Sequence, residues 1–159
     1  MNKRFFLTLR SGFSLAALVL ALAVPELQAE AAPPKKGGDY GLIFKKKDIS
    51  AIATFMPYTA EGTRMEIFAV RASDGTIRTA LNTCQVCYAS GRGYYKQEGK
   101  AFVCQNCGNR FQLDQIEKIK GGCNPVPILG TDKSDLGDSL GISKSYLKSV
   151  APYFARWKK

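Results

Sequence analysis

The sequence predicts a small α+β domain, rich in β-hairpins, with two CxxC metal knuckles and a C-terminal amphipathic helix. Three observations predict this fold class. Apolar residues alternate on both sides of the turn dipeptide Asp74-Gly75, which is the pattern of a β-hairpin. Cysteines form two CxxC pairs with sixteen residues between the pairs. Near the C-terminus, apolar residues recur at helical spacing.

The N-terminal segment, residues 1–31, is predicted to be a signal peptide or an N-terminal membrane anchor. Its first ten residues contain three basic residues and no acid, an apolar run from Phe13 to Val24 follows, and small residues surround Ala29. The apolar run is shorter than the roughly 20 residues that a membrane-spanning helix needs, which favours cleavage. The stretch Asn2 to Thr8 also resembles a twin-arginine export signal in which Lys3 replaces the first arginine.

Residues 32–48 are predicted to form a linker, because their first part is rich in proline, glycine and lysine. The folded domain is expected to cover residues 49–155, and a basic tail, residues 156–159, follows it. The first strand is predicted around Ile52 to Tyr58. It is expected at a sheet edge, because Pro57 cannot donate a hydrogen bond to a neighbouring strand.

Two hairpins are predicted after this strand. Met65–Val70 and Thr76–Leu81 are expected to pair across Asp74-Gly75. Between the two CxxC pairs, aromatic and apolar residues flank Glu98-Gly99, which predicts the second hairpin. Residues 130–141 contain several aspartates and glycines and are predicted to form a loop.

The C-terminal segment is predicted to form a helix that begins with Ser143 as its N-cap and ends or bends near Pro152. The apolar residues at helical spacing are Tyr146, Leu147, Val150, Phe154 and Trp157. Two roles fit this pattern. The apolar stripe packs on the sheet, or the basic amphipathic segment with its tryptophan contacts a membrane surface.

Composition limits the functions that the chain can have. The formal net charge is +10, which suits anionic partners, and for an exported protein these are lipid headgroups or an acidic redox protein rather than nucleic acid. The chain contains no histidine, which excludes C2H2 zinc fingers, Rieske clusters, His-dependent catalytic pairs and CxxCH haem attachment. No grouping of carboxylates indicates hydrolysis, so no enzymatic activity is predicted.

The five cysteines are the candidate metal ligands. Cys84, Cys87, Cys104 and Cys107 form the pattern C-x2-C-x16-C-x2-C, which lies in the range of four-cysteine zinc sites. The same sulfur set binds iron, as a single ion or as a cluster, and disulfides are a further alternative in an exported protein. Cys123, in a Gly-Gly-Cys-Asn-Pro turn, is either a fifth ligand or a leftover free thiol. A closed four-ligand zinc site has no use for it, so it favours the cluster.

Three blocks of sequence together resemble the FtrD-like membrane iron–sulfur domain family, whose members occur with bacterial high-affinity iron permease systems. The blocks are ASDGTIRTALNTCQVCY, GYYKQEGKAFVCQNCGNRF and GGCNPVPI, in that order. The resemblance runs from about Ile49 to Phe154. It implies that the five cysteines hold an iron–sulfur cluster, with Zn²⁺ as the alternative.

The resemblance also implies a role and a location. We expect an exported electron-transfer protein accessory to bacterial iron uptake, in the periplasm or at the outer face of the inner membrane. Its expected partners are an iron permease or periplasmic iron-oxidising proteins, together with the inner membrane surface. Unlike the larger members, this chain has no multi-span membrane portion, which favours a periplasmic or singly anchored carrier. The alternatives are a zinc-stabilised periplasmic binding module that displays Tyr94 and Tyr95, or a soft-metal (copper) chaperone.

Overall fold

The computed structural model describes residues 38–159. Within these residues, ten strands form three antiparallel sheets, and one short α-helix lies near the C-terminal end. The signal peptide or anchor predicted for residues 1–31 lies outside the described part. In the described part, no helix has both the length and the apolar character needed to cross a membrane.

Short loops connect most of these elements. The strands are β1 (Tyr40–Lys45), β2 (Thr54–Ala60), β3 (Thr63–Arg71), β4 (Ile77–Cys84), β5 (Tyr95–Glu98), β6 (Ala101–Cys104), β7 (Arg110–Gln112), β8 (Pro125–Pro127), β9 (Lys133–Asp135) and β10 (Ser139–Ser143), and the helix is α1 (Lys144–Ser149). The predicted β-rich α+β character is therefore confirmed at the level of sheet content.

The largest sheet has the strand order β2-β3-β4-β8. The predicted hairpin across Asp74-Gly75 is confirmed as the pair β3 and β4, and Gly75 supplies the positive φ of 80° that the turn requires. Strand β2 lies at the edge of the sheet, as Pro57 predicted. The sheet thus delivers the chain, at the end of β4, directly to the first CxxC pair.

A second sheet, in the order β5-β6-β7, packs on the first. The hairpin predicted around Glu98-Gly99 is confirmed as β5 and β6. Phe68 of β3 stacks on Phe102 of β6 with ring centroids 4.6 Å apart, so an aromatic contact joins the two sheets. Cys84, Cys87 and Cys104 belong to the same buried apolar cluster. The cysteines therefore lie at the edge of a packed core.

The third sheet, β1-β10-β9, corrects two predictions. The segment predicted as a linker, residues 32–48, contains β1, and the segment predicted as a loop, residues 130–141, contains β9 and the start of β10. Leu42 and Phe44 of β1 are buried while Ile43 between them is exposed, which is the alternation of a half-buried strand. The linker prediction was based on the prolines, glycines and lysines that precede β1, and this composition outweighed the short alternation in the strand itself.

The C-terminal helix is shorter than predicted. Ser143 is its N-cap, because the hydroxyl of Ser143 accepts the Tyr146 N–H at 3.4 Å, but α1 ends at Ser149. A 3-10 turn, Ala151–Phe154, replaces its continuation, since Pro152 has no N–H for a helical hydrogen bond. The amphipathic helix expected to reach Trp157 is therefore not confirmed. The apolar side chains of this segment instead pack on the β1-containing core.

Candidate metal centre

Strand ends position the two CxxC pairs. Cys84 is the last residue of β4 and Cys104 is the last residue of β6, and in each pair a three-residue turn follows and carries the second cysteine. Cys123 lies in the loop before β8, whose first residue, Pro125, is the register partner of Cys84. The two packed sheets therefore bring three separate segments of the chain to one place.

Hydrogen bonds between backbone groups hold these segments together. The Cys84 N–H donates to the Gly93 carbonyl at 2.7 Å, and the Gln105 N–H donates to the Tyr94 carbonyl at 2.8 Å. The Asn109 side-chain amide donates to the Cys123 carbonyl at 2.7 Å and joins the second turn to the third segment. Each cysteine-bearing segment is thus tied to a neighbour by a contact independent of any metal.

All five predicted cysteines come together, and Cys123 lies in the middle. The Cys123 Sγ atom is 2.9 Å from the Sγ of Cys107, 3.3 Å from that of Cys84 and 4.0 Å from that of Cys87. One set of four Sγ atoms, those of Cys84, Cys87, Cys104 and Cys123, lies within 4.8 Å of one another. This set differs by one residue from the two CxxC pairs alone. We call the five thiols the cysteine centre.

The donor set and its spacing fit a thiophilic metal. Two sulfurs bound to one tetrahedral ion lie about 3.8 Å apart, because each metal–sulfur bond is about 2.3 Å long. The observed Sγ separations bracket this value. All five cysteines are free rather than members of disulfides. Thiolates without imidazole or carboxylate suit zinc, Cu(I) or iron–sulfur centres, so the residues present fit an iron–sulfur cluster.

Backbone amides surround the first sulfur of each pair in the same way. The amides of Val86 and Cys87 donate to the Cys84 sulfur, and the Cys87 N–H does so at 3.3 Å. Burial opposes ionisation of Cys84, but these amides and the Tyr95 hydroxyl outweigh it and leave the pKa of Cys84 lowered. Such amides favour the thiolate form, which is the form that binds metal.

The equivalent amides of the second pair, those of Asn106 and Cys107, donate to the Cys104 sulfur. Here burial prevails, and the pKa of Cys104 is raised. The two pairs therefore share a hydrogen-bond pattern, although the balance between burial and hydrogen bonding differs between their first cysteines.

The second cysteines of the two pairs, Cys87 and Cys107, differ more strongly in exposure and in pKa. Cys107 is exposed, and its hydrogen bond with Cys123 lowers the pKa of Cys107 to about 7. Cys87 is buried, and burial raises the pKa of Cys87 to about 11. Burial also raises the pKa of Cys123. Of Cys87, Cys107 and Cys123, the exposed Cys107 therefore ionises most readily.

Sequence reasoning missed Tyr95 as a residue of the site. Its side chain is 1% exposed, and its hydroxyl lies 3.8 Å from the Cys123 Sγ atom. The expectation that a binding module displays Tyr95 at its surface is therefore wrong. Tyr94, the residue before β5, is half-buried, and Lys158 lies 5.0 Å from its ring centroid. Successive side chains of an extended segment point to opposite sides, so this alternation could have distinguished the two tyrosines in the sequence.

Asn82 is a second residue that sequence reasoning missed. It is buried, its side-chain carbonyl accepts the Tyr95 N–H at 2.7 Å, and its side-chain amide donates to Glu66 at 2.6 Å. Its backbone carbonyl accepts the Trp157 indole N–H at 2.8 Å. Asn82 therefore connects the C-terminal tail and β3 to the strand that carries Tyr95.

A comparison with protein families agrees with this geometry. The model of a family described as membrane iron-sulfur containing protein FtrD-like matches residues 49–154. The match contains all five cysteines and confirms the resemblance found in the sequence. Neither a curated protein nor a solved structure matches the chain.

Proposed function

Because this chain belongs to the FtrD-like family of membrane iron-sulfur containing proteins, we propose that its cysteine centre holds an iron–sulfur cluster through which the protein exchanges electrons. The observation that carries this proposal is the convergence of the five Sγ atoms around Cys123. Five thiolates exceed what a closed zinc site requires, whereas a cluster is tuned by every sulfur and hydrogen bond close to it.

The chain's own residues contribute three things to this chemistry. A bound iron–sulfur cluster supplies a group that takes up and releases single electrons. Around it, two CxxC knuckles donate amide hydrogen bonds to sulfur, which stabilise the thiolate form. The packed sheets exclude water from Cys84 and Cys104. Cys107 reaches the surface and offers the shortest route to an outside partner.

We further propose that the protein is exported and acts in bacterial iron uptake. The basic, apolar and small-residue pattern of residues 1–31 supports export to the periplasm or to the outer face of the inner membrane. A twin-arginine route would allow the centre to be assembled before export. The three sequence blocks resemble a family whose members occur with iron permease systems, and this resemblance supports an accessory role beside an iron permease or periplasmic iron-oxidising proteins. The proposed activity is electron transfer rather than an enzymatic conversion.

A zinc-stabilised module is the second candidate, because one observation favours it. Four Sγ atoms lie within 4.8 Å of one another, as four ligands of a single ion do. In a multi-iron cluster, iron and sulfide atoms lie between some of the thiolates and separate them further. Under this candidate, Cys107 is the thiol outside the tetrahedron.

One purified sample distinguishes the candidates. The full chain is expressed with its export signal under iron-sufficient conditions, and metal content, acid-labile sulfide and the visible spectrum are measured. We expect iron, sulfide and a thiolate-to-iron charge-transfer band that bleaches on reduction. A colourless protein with one zinc per chain would replace the electron-transfer proposal by the zinc module. A colourless protein loaded with copper would indicate a soft-metal chaperone.

A further inference from the structure

Exposed apolar side chains lie beside the cysteine centre. Val86, inside the first CxxC turn, is 64% exposed, and Ile119, in the loop that leads to Cys123, is 42% exposed. This loop is held against the first turn, because the Gln85 side chain accepts the Gly121 N–H at 2.7 Å. Both aliphatic residues belong to segments that meet at the cysteine centre, where Cys107 is also exposed, and an exposed apolar patch at such a place is typical of a surface that another molecule covers.

Positive charge surrounds these apolar residues. Arg92 donates to the carbonyl of Gln105, inside the second CxxC turn, at 3.0 Å. Lys118 and Lys120 flank Ile119 and are exposed. The C-terminal tail adds further charge, since the Lys159 N–H donates to the Gly91 carbonyl at 2.9 Å, next to Arg92.

Negative charge is nearly absent from the same segments. Within residues 84–92, 104–111, 117–124 and 155–159, Glu117 is the only acid. Its carboxylate pairs with Lys133 and accepts the hydroxyl of Thr79 at 2.8 Å, so it is compensated inside the fold.

Three acids outside these segments pair with basic residues inside them, namely Glu66 with Lys158, Asp74 with Lys118 and Glu98 with Arg110. In the described part of the chain, Arg92, Lys120 and Lys159 form no ion pair with an acid, so the positive charge of these three residues is uncompensated.

We propose that this surface docks an acidic partner protein with which the centre exchanges electrons. We call it the docking face and define it by Cys107, Val86 and Ile119 at its middle and by Arg92, Lys120 and Lys159 at its rim. The proposal rests on the proposed electron-transfer function and adds the chemistry of the partner. An apolar middle with a charged rim is the anatomy of a protein interface, and a charged rim steers a partner of opposite sign.

A protein fits this face better than a lipid bilayer. Membrane-surface segments insert aromatic and aliphatic side chains from an amphipathic helix, but α1 has six residues. The tryptophan of the tail is not free to insert. Its indole N–H donates to the Asn82 carbonyl at 2.8 Å, and its ring packs on Phe154 with centroids 5.6 Å apart. Transient redox complexes bury less than about 1,200 Å² in total, so a small apolar middle is in keeping with such an interface.

The test uses two exposed double variants that remove the same charge. Lys120→Gln/Lys159→Gln changes the docking face, and Lys45→Gln/Lys47→Gln changes the end of β1 and the turn after it, which carry no cysteine. Lys118 is left in place, because its ammonium pairs with Asp74 in the turn before β4, at the opposite end of that strand from Cys84. Equal melting temperatures of both variants and the parent protein establish that the fold is retained.

The probe partner is plastocyanin, a soluble blue-copper protein with a carboxylate-rich surface. The reduced centre gives up one electron, and Cu(II) of plastocyanin takes it up and becomes Cu(I). We expect Lys120→Gln/Lys159→Gln to lower the second-order rate about tenfold at low salt, and the control variant to leave it unchanged. The difference should shrink at physiological salt, where charges are screened over about 8 Å. Surface plasmon resonance on immobilised plastocyanin should show the same loss of affinity.

The small oxidant hexacyanoferrate(III) separates the failure of this inference from the failure of the proposed function. If the centre reduces neither oxidant, the proposed electron-transfer function is wrong, and the docking face, which depends on that function, is wrong as well. If hexacyanoferrate(III) is reduced but the parent protein and both variants reduce plastocyanin at the same rate, only the docking face is wrong. Vesicles of phosphatidylcholine and phosphatidylglycerol form the last arm. If only Lys120→Gln/Lys159→Gln loses vesicle binding while its rate with plastocyanin is unchanged, the docking face binds a membrane instead of a protein.

Discussion

The two CxxC turns have the same local structure but different surroundings. Each turn follows the last residue of a strand, and in each one two amides donate to the first sulfur. The first turn is buried at both of its cysteines, whereas the second ends at the exposed Cys107. A shared motif therefore fixes the hydrogen bonds around sulfur, and the tertiary contacts of each turn decide how far it is open to solvent.

Residues that pack over the first turn explain why its second cysteine is buried while that of the second turn is exposed. Tyr88 packs its ring edge-on against Tyr153 of the C-terminal segment, with centroids 5.2 Å apart, and Gly93 allows β5 to pass directly against the Cys87 backbone. Around the second turn, residues 106–110 are all exposed. We infer that the first turn anchors the centre in the fold and that the second presents it to solvent. The predictions below test this division.

The largest effect is expected from Cys84→Ser. This substitution removes a fully buried sulfur that receives two amides and contacts Cys123 at 3.3 Å. Metal affinity should fall by more than the about 100-fold that loss of an outer hydrogen bond costs. The melting temperature should fall with it, because metal binding contributes to folding. Metal content by mass spectrometry and a thermal melt measure both effects.

Cys107→Ser is the matched comparison. Because Cys107 is exposed and belongs to the open turn, its replacement should weaken metal retention but change the melting temperature less than Cys84→Ser does. Equal losses of metal and stability in the two variants would show that the turns do not divide anchoring from presentation.

The second effect concerns the backbone that covers the first turn. In Gly93→Ala, the new Cβ atom would overlap the Cys87 carbonyl and lie 2.8 Å from the Tyr88 nitrogen, so the turn must shift. We expect a loss of about 3 kcal/mol in the free energy of unfolding, the upper end for overpacking, and partial loss of metal. Gly130→Ala is the control, since no atom lies within 4 Å of its added Cβ, and it should change stability by less than about 1 kcal/mol. Similar denaturation curves for both variants would contradict the tight packing of the first turn.

Local sequence patterns predicted the parts of the fold that depend on neighbouring residues. The hairpins follow from the chemistry of their turn residues. The edge position of β2 follows from the missing N–H of Pro57, and the start of α1 follows from the capping hydroxyl of Ser143. The sheet β1-β10-β9 was missed, because it pairs Tyr40 with Ser143 from opposite ends of the domain. No local pattern specifies such a pairing.

The candidate site shows the same limit. All five cysteines could be named from their spacing and from the family resemblance, because cysteine is distinctive in sequence. The central position of Cys123 and the exposure of Cys107 depend on how two sheets meet. Tyr95 was misjudged for the same reason, since its neighbour Tyr94 has the same chemistry and only the orientation of β5 separates them.

The third effect is a difference in thiol reactivity between the turns. In metal-free protein that retains its β-sheet circular dichroism, Cys107 has a pKa of about 7 and Cys87 a pKa of about 11. The thiolate is the reacting form and its fraction rises with pH through the pKa. Iodoacetamide should therefore label Cys107 with a midpoint near pH 7, while Cys87 stays unlabelled at that pH. Peptide mass spectrometry reports each site.

Urea-denatured protein is the control for this experiment. Without the fold, all five thiols should label together with a midpoint near the ordinary cysteine value of about 8.5. If Cys107 and Cys87 label together in the folded protein as well, the two turns do not differ in the way that their burial indicates.

The smallest effect is expected from Tyr95→Phe, which removes one hydroxyl and leaves the buried ring in place. This hydroxyl lies 3.8 Å from the Cys123 Sγ atom and hydrogen-bonds to Cys84, the anchoring end of the centre. A hydrogen bond to a thiolate withdraws electron density from it and stabilises the reduced, more negative state, so its loss should lower the reduction potential. The visible band should persist, because every sulfur remains. Tyr94→Phe, which removes a hydroxyl from a ring that contacts Lys158 and Trp157 rather than the cysteines, should leave the potential unchanged. Redox titration monitored by the visible band measures both variants. An unchanged or higher potential in Tyr95→Phe would show that the buried first turn holds the centre without tuning it.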